Sequence, residues 1–121
     1  MYANDHAKAK SIRACAVMKP PPFDYVRAES VQHAVALLVE HGDAAKIIAG
    51  GQSLMPMLAF RMATPRLLVD IGSIAALRHI SIDERGVTLG ALVRWCDIER
   101  HAELARAHPL LVEAVRHVAH Y

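Results

Sequence analysis

The sequence predicts an α/β fold (α+β overall), with a small parallel βαβαβ subdomain followed by the start of a second, mainly antiparallel subdomain. Between residues 23 and 71, three short apolar segments alternate with two helical ones, which is typical of a parallel unit with right-handed connections. Further on, two apolar runs flank a short charged segment that ends in Gly86, which predicts a hairpin. We place the subdomains at residues 18–72 and 73–121, after a leader of residues 1–17.

The elements of the first subdomain follow in order. A proline-rich stretch leads into a strand at residues 23–26. Ser30 then caps a helix whose apolar residues recur every three or four positions, and Gly42 ends it. A second strand is predicted at residues 46–49 and a second helix from Ser53 to about Met62, ending before Thr64-Pro65. The apolar run at residues 67–71 is the third strand, of the kind buried in a parallel sheet.

The second subdomain begins with the hairpin, whose strands are predicted at residues 77–82 and 87–89. A helix is expected at residues 97–107, with a break at His108-Pro109 before a last helix that is unfinished at Tyr121. We therefore expect the chain to be a fragment. One face of the last helix is predicted to be apolar: Leu110, Leu111, Ala114, Val115, Val118 and Ala119.

Composition narrows the function classes. The 121 residues are 54% apolar and 21% charged, as expected for a globular protein. A net charge of +2, without a basic cluster interleaved with aromatics, argues against nucleic-acid binding. Cys15 and Cys96 form no C-x-x-C pair, so no zinc or iron–sulfur site is indicated, and a reduced, cytoplasmic setting is the default. The leader contains no run long enough for a signal peptide or membrane span. It is either a disordered tail or translated sequence upstream of a start at Met18.

The candidate site is the segment at residues 47–56, where an apolar stretch runs into Gly50-Gly51, then Ser53 in N-cap position and a helix with Pro56 in its first turn. Glycine permits positive φ and close approach of a ligand, and free amides at a helix start favour an anion. Pro56 has no N–H, so the donors are expected from residues 50–55 and the Ser53 hydroxyl. The segment matches neither G-x-x-x-x-G-K-[ST] nor G-x-G-x-x-G. From these residues alone, a tight turn without a ligand remains the alternative.

The stretch from Met18 to His120 resembles the N-terminal part of the FAD-binding medium subunit of molybdenum hydroxylases, the flavoprotein subunit of carbon monoxide dehydrogenases and bacterial relatives of xanthine dehydrogenase. The resemblance rests on KPPPFDY at residues 19–25, AGGQSL at 49–54, RMATPRLLVDI at 61–71, and GAL at 90–92 followed by DIE at 97–99. Several motifs in the same order and spacing make it specific.

The resemblance implies a vanillyl-alcohol-oxidase-type fold in which FAD lies between two subdomains and two glycine loops hold its pyrophosphate. The first loop would consist of Ala49, Gly50, Gly51, Gln52, Ser53 and Leu54. The second, a Thr-x-Gly-Gly segment, follows in the family shortly after the position of Tyr121, where this sequence also departs from the usual Pro.

The implied role is electron transfer from iron–sulfur clusters through FAD to an acceptor, beside a molybdenum-cofactor large subunit and an iron–sulfur small subunit. The redox chemistry belongs to the cofactor, so no catalytic residue and no metal ligand is assigned. The alternative is a non-enzymatic remnant or interaction module that keeps the fold without flavin. A generic phosphate-binding domain is less favoured, because no lysine stands in a Walker-type position.

Other conspicuous side chains are given ordinary roles. The eight histidines are expected on solvated helix faces, and the methionines of the second helix as packing residues. Trp95 either covers apolar surface near the flavin or fills the core of the second subdomain, and we favour the core. Arg61 and Arg66 would lie near a helix C-terminus or meet a partner subunit.

Overall fold

The computed structural model describes residues 19–118, and its first sheet is the predicted parallel one. Its strands are β1 (Asp24–Arg27), β2 (Ala45–Ile48) and β3 (Leu67–Asp70), in the order β1-β3-β2 with both pairings parallel. The central β3 is buried on both faces, as its unbroken apolar sequence predicts. The predictions for the leader and for the end of the last helix at residues 119–121 lie outside the described residues.

The two connections of this unit are helical. Helix α1 (Val31–His41) is capped as predicted: the Ser30 hydroxyl accepts a hydrogen bond from the His33 amide at 3.1 Å, and Gly42 ends the helix at φ +51°. With connections of the usual hand, the order β1-β3-β2 places α1 and α2 (Leu54–Ala59) on opposite faces of the sheet.

Burial agrees with this arrangement. Residues of α1 pack with one face of the sheet in a core that also includes Ile71 and Ile74. Leu58 of α2 and Leu68 of β3 are fully buried but belong to neither of the two core clusters. Because side chains alternate along a strand, Leu68 points away from its neighbours Leu67 and Val69, toward the opposite face.

Helix α2 differs from its prediction at both ends. Ser53 is the N-cap residue of α2, as predicted, but its backbone is helical and its hydroxyl makes no capping bond. The helix ends at Ala59 because Arg61 adopts φ +57°. The amides of Arg61 and Met62 then bond the carbonyls of Leu58 and Met57 at 3.1 and 2.8 Å, which is a Schellman motif with arginine where glycine is usual.

The hairpin is confirmed as β4 (Ile80–Asp83) and antiparallel β5 (Gly86–Leu89). The Asp83 carboxylate accepts the amides of Arg85 and Gly86 at 2.8 and 3.1 Å, and Gly86 has φ +136°. The strand begins later than predicted because Leu77 lies in a 3-10 turn (Ala75–Arg78), where its carbonyl accepts the Leu92 amide at 2.8 Å.

The predicted single helix at residues 97–107 is wrong: α3 (Trp95–Arg100) and α4 (Ala102–Ala107) are separate. His101 adopts an extended conformation, and its ring nitrogen Nδ1 accepts the Leu104 amide at 3.1 Å, so the imidazole caps α4. The predicted break at His108-Pro109 is confirmed, with Pro109 as the first residue of α5 (Pro109–Arg116).

A second core lies between these helices and the hairpin. The hairpin face that packs against this core consists of Ile80, Ile82, Val87 and Leu89. The prediction for the face of α5 is partly wrong. Val112 and Val115 are buried in this core, whereas Leu110 is 80% exposed. Within residues 19–118, no helix is long and apolar enough to cross a membrane.

Candidate functional site

The glycine loop (residues 49–54) follows the carboxyl end of β2, and its conformation depends on Gly51. Gly51 has φ +71°, where a side chain is strained, and an added Cβ would lie 3.0 Å from Met55 Cγ. Gly50 is different, because its φ is not in the left-handed region and the nearest atom to an added Cβ is Gln52 Cγ at 4.0 Å. The fold therefore favours glycine at position 51, whereas at position 50 the space is open.

The amides of this loop are free. Within residues 19–118, the backbone N–H groups of Gly50, Gly51, Gln52, Ser53 and Leu54 donate to no protein group. The next amide, of Met55, bonds the Gly51 carbonyl at 2.9 Å, so it is not one of the free donors that the sequence suggested. Consecutive free amides around a positive-φ residue form an anion-binding concavity. Since α2 has only six residues, these amides rather than a helix dipole give the loop its chemistry.

A cleft of about 1200 Å³ opens beside the loop, between the carboxyl ends of the parallel strands and residues of the helical region at positions 91–118. Ala49, Gly50 and Gln52 line this cleft, and Gly51, Ser53 and Leu54 adjoin them in the same loop without being buried. The carboxyl edge of a doubly wound sheet is where such folds bind ligands, because neighbouring connections diverge there to opposite faces. The structure thus brings three of the six predicted residues to a ligand-sized opening, and Gly51 shapes the loop through its positive φ.

The carboxylate of Asp70, at the end of β3, is the polar centre of the cleft wall. It accepts hydrogen bonds from the Tyr25 hydroxyl, from Arg27 Nε at 3.2 Å and from the Gly72 amide at 2.7 Å. The Tyr25 bond, followed by the Gly72 bond, lowers the pKa of Asp70 below its usual value. Hydrogen bonds to Tyr25 and Asp70 raise the pKa of Arg27, whose guanidinium remains largely exposed. These bonds therefore tie the carboxyl ends of β1 and β3 together, while the guanidinium of Arg27 remains accessible to the cleft.

This cluster was not predicted from the sequence, although its residues carry a signal. Tyr25 and Arg27 are two residues apart and therefore lie on one face of β1, and Arg27 pairs in register with Asp70. Aligning the two strands by their apolar residues would have placed the three side chains together.

Several side-chain expectations need correction. Trp95 is 52% exposed and lines the cleft, so the prediction that it fills the second core is wrong. Met55, Met57 and Met62 are exposed rather than packing residues. Among the described histidines, His101 caps a helix, and the described part of the chain contains no group of three or more potential metal ligands.

The comparisons with known proteins identify the family of the chain. Residues 21–121 match the family model described as the FAD binding domain in molybdopterin dehydrogenase. The chain belongs to this family. The resemblance that the sequence motifs suggested is confirmed, and the cofactor in the family's description is FAD.

Individual relatives support the assignment. The alpha subunit of the 6-hydroxypseudooxynicotine dehydrogenase complex of Paenarthrobacter nicotinovorans is 48% identical over 103 residues, 85% of this chain and 35% of that protein. The carbon monoxide dehydrogenase medium chain of Hydrogenophaga pseudoflava is 41% identical over 102 residues, which are 84% of this chain and 36% of that one. A cyanide-inactivated Cu,Mo-CO dehydrogenase superposes with a TM-score of 0.80 at 36% identity, covering 85% of this chain and 36% of the other. The chain thus spans about a third of the length of these relatives.

Proposed function

We propose that this chain supplies the first diphosphate-binding loop and one side of the FAD cleft in the flavin subunit of a molybdenum-hydroxylase-type dehydrogenase. The observation that carries the proposal is the row of five free amides at residues 50–54, around a glycine held at positive φ. A diphosphate is the part of FAD that such a concavity suits, since it presents several anionic oxygens to backbone donors.

The cleft supports the proposal in shape and charge. Four arginines and two carboxylates line it, which favours an anionic ligand. The open space beside Gly50 allows a ligand to approach the backbone closely. When bound, FAD supplies the redox chemistry, and the residues of this chain supply placement and electrostatics.

The wider role is proposed from family membership. The relatives' names describe subunits or chains of dehydrogenases, so we infer that this chain belongs to an oxidoreductase complex. Within it, the flavin would pass electrons from iron–sulfur clusters of a small subunit to an acceptor, after oxidation of the substrate at a molybdenum-cofactor large subunit. We place the complex in the cytoplasm. The alternative, a remnant that keeps the fold without flavin, is not favoured, because the loop retains its free amides and its positive-φ glycine.

Calorimetric titration of the 121-residue chain with FAD tests the proposal. Gly50-Gly51 is the one Gly-Gly pair in the sequence, whereas the family is expected to use two loops, so we expect affinity weaker than micromolar. Association must offset a cost of roughly 4–15 kcal/mol, and one loop offers few contacts. FAD up to millimolar concentration should nevertheless saturate the folded chain.

The informative variant is Gly50→Val, since its side chain has room in the protein but would occupy the space of the ligand. We expect at least a tenfold loss of affinity. The matched control is Leu110→Ala on the exposed surface of α5, which should bind as the unmodified chain does. No binding by the folded chain, or equal binding by Gly50→Val, would contradict the proposal.

A further inference from the structure

The two walls of the cleft differ in chemistry. The wall at the strand ends carries the glycine loop, the ion pair of Arg27 with Asp70, and the turn at Gly72 and Ser73. The facing wall, from residues 91–118, adds a large apolar surface to charged groups. Its charged residues are Arg94, Glu99 and Arg116, and its apolar residues are Ala91, Leu92, Val93, Trp95, Val115 and Val118. A ligand that fits both walls needs an anionic part and a flat or apolar part.

Trp95 is the largest apolar group on the facing wall, and within residues 19–118 it belongs to no hydrophobic core. It is the first residue of α3, the buried residue of this helix is Ile98, and the indole belongs to neither core cluster. With 52% of its surface exposed, the side chain offers a broad aromatic face to the cleft. Val118, also on this wall, is exposed as well, so the apolar surface extends beyond the indole.

We propose that Trp95 is a stacking residue for an aromatic ring of the dinucleotide whose diphosphate lies at the glycine loop. This inference rests on the proposed function and adds a specificity-determining residue to it. Both ends of FAD carry a flat heteroaromatic ring, adenine or isoalloxazine, and either stacks on indole by the same chemistry. Stacking of a base on an aromatic side chain is worth about tenfold in affinity or more.

The test uses the fact that the sequence contains one tryptophan. In a ¹⁵N-labelled chain, the indole N–H therefore gives one resonance, which reports on this site alone. We would add FAD, ADP, FMN and inorganic pyrophosphate in separate titrations. FAD should shift the indole resonance and quench the indole fluorescence, and pyrophosphate should do neither. A shift with ADP assigns the stacked ring to adenine, and a shift with FMN assigns it to isoalloxazine.

Variants provide the second measurement. Trp95→Leu keeps apolar bulk but removes the ring, and we expect it to weaken FAD binding about tenfold. Trp95→Phe keeps a ring and should lose less than threefold. Both variants should bind pyrophosphate as the unmodified chain does, since the glycine loop is unchanged. Because the indole is exposed, neither change should unfold the chain, and a circular dichroism melt checks this.

The outcomes separate the two proposals. If FAD binds and shifts the amides of residues 50–54, but the indole resonance stays in place and Trp95→Leu binds equally well, the stacking role is refuted and the proposed function stands. If FAD shifts neither the loop amides nor the indole at millimolar concentration, both are refuted. If pyrophosphate alone moves the indole as far as FAD does, the effect is not stacking, and the inference fails.

Discussion

Replacing glycines one at a time should separate backbone strain from ligand clearance. Gly51 has φ +71° and Gly42 has φ +51°, whereas Gly50 is outside the left-handed region. An added Cβ meets nothing within 4 Å at Gly42 and only Gln52 Cγ, at 4.0 Å, at Gly50. Gly42 does not line the cleft. Alanine at position 42 should therefore strain the backbone without obstructing the cleft. At position 50 it should obstruct the cleft without straining the backbone, and at position 51 it should strain the backbone within the glycine loop itself.

The magnitudes follow from these conformations. An L-residue in the left-handed region costs about 1–2 kcal/mol. Replacing glycine by alanine also raises the free energy of unfolding by about 0.4–1 kcal/mol, because alanine restricts the conformations of the unfolded chain. The net loss of unfolding free energy should be about 1 kcal/mol at position 51, where the added Cβ lies 3.0 Å from Met55 Cγ, a half-exposed side chain that can move. The loss at position 42 should be at least as large, because its ψ of −132° combined with positive φ is a conformation that glycine alone adopts readily. Gly50→Ala should be neutral or slightly stabilising.

Urea unfolding followed by circular dichroism measures the stabilities, and calorimetry measures FAD affinity on the same samples. A loss of 1 kcal/mol corresponds to a melting temperature lower by about 4–8 °C for a domain of up to 100 residues. We expect Gly42→Ala to lose stability but keep FAD affinity, and Gly50→Ala to show the reverse. Equal stability of Gly51→Ala and the unmodified chain would refute the backbone argument. A loss of affinity in Gly42→Ala as large as in Gly50→Ala would refute the assignment of the site.

Three further results are expected. Ser30→Ala should cost about 1 kcal/mol, because its hydroxyl caps α1, whereas Ser53→Ala should leave the urea midpoint unchanged; equal losses would contradict the capping assignment. Arg61→Gly should stabilise by about 0.5–1 kcal/mol in thermal melts by relieving its positive φ; a loss would show that the arginine side chain stabilises the fold. Tyr25→Phe should raise the pKa of Asp70, measured by ¹³C titration, and cost about 1 kcal/mol at neutral pH. That loss should vanish in acid. A carboxyl whose pKa is lower in the folded chain stabilises the fold above its unfolded pKa of about 3.9, and this stabilisation is lost as the pH falls through the folded pKa. A loss that persists at about pH 2 would contradict the assignment.

Local sequence signals predicted most of the parallel unit. Ser30 and Gly42 mark the two ends of α1, each by chemistry local to its own end, and the three predicted strand segments are too short to be helices. The end of α2 could not be predicted from such signals, because it depends on the positive φ of Arg61, and arginine rarely adopts positive φ. The break between α3 and α4 at His101 contains no glycine or proline, and it depends instead on the imidazole that caps α4.

The candidate site divides in the same way. The glycine loop is one continuous segment, so its residues could be named from the sequence. The cluster of Tyr25 and Arg27 with Asp70 depends on the register between two strands that are far apart in the chain. The exposure of Trp95 depends on how the second core is filled, where Val112 and Val115 occupy the interior that the sequence suggested for the indole. The cluster could therefore be predicted only by first aligning the two strands, and the exposure of Trp95 could not be predicted from the sequence.

The most direct test of the account is an amide titration of the glycine loop. In ¹H–¹⁵N spectra of the 121-residue chain, FAD should move the amides of Gly50, Gly51, Gln52, Ser53 and Leu54 more than any others. Their proton resonances should shift downfield, since free N–H groups would acquire charge-assisted hydrogen bonds to the diphosphate. Inorganic pyrophosphate should move the same five amides. Shifts concentrated elsewhere, with these five unmoved at saturating FAD, would contradict the account.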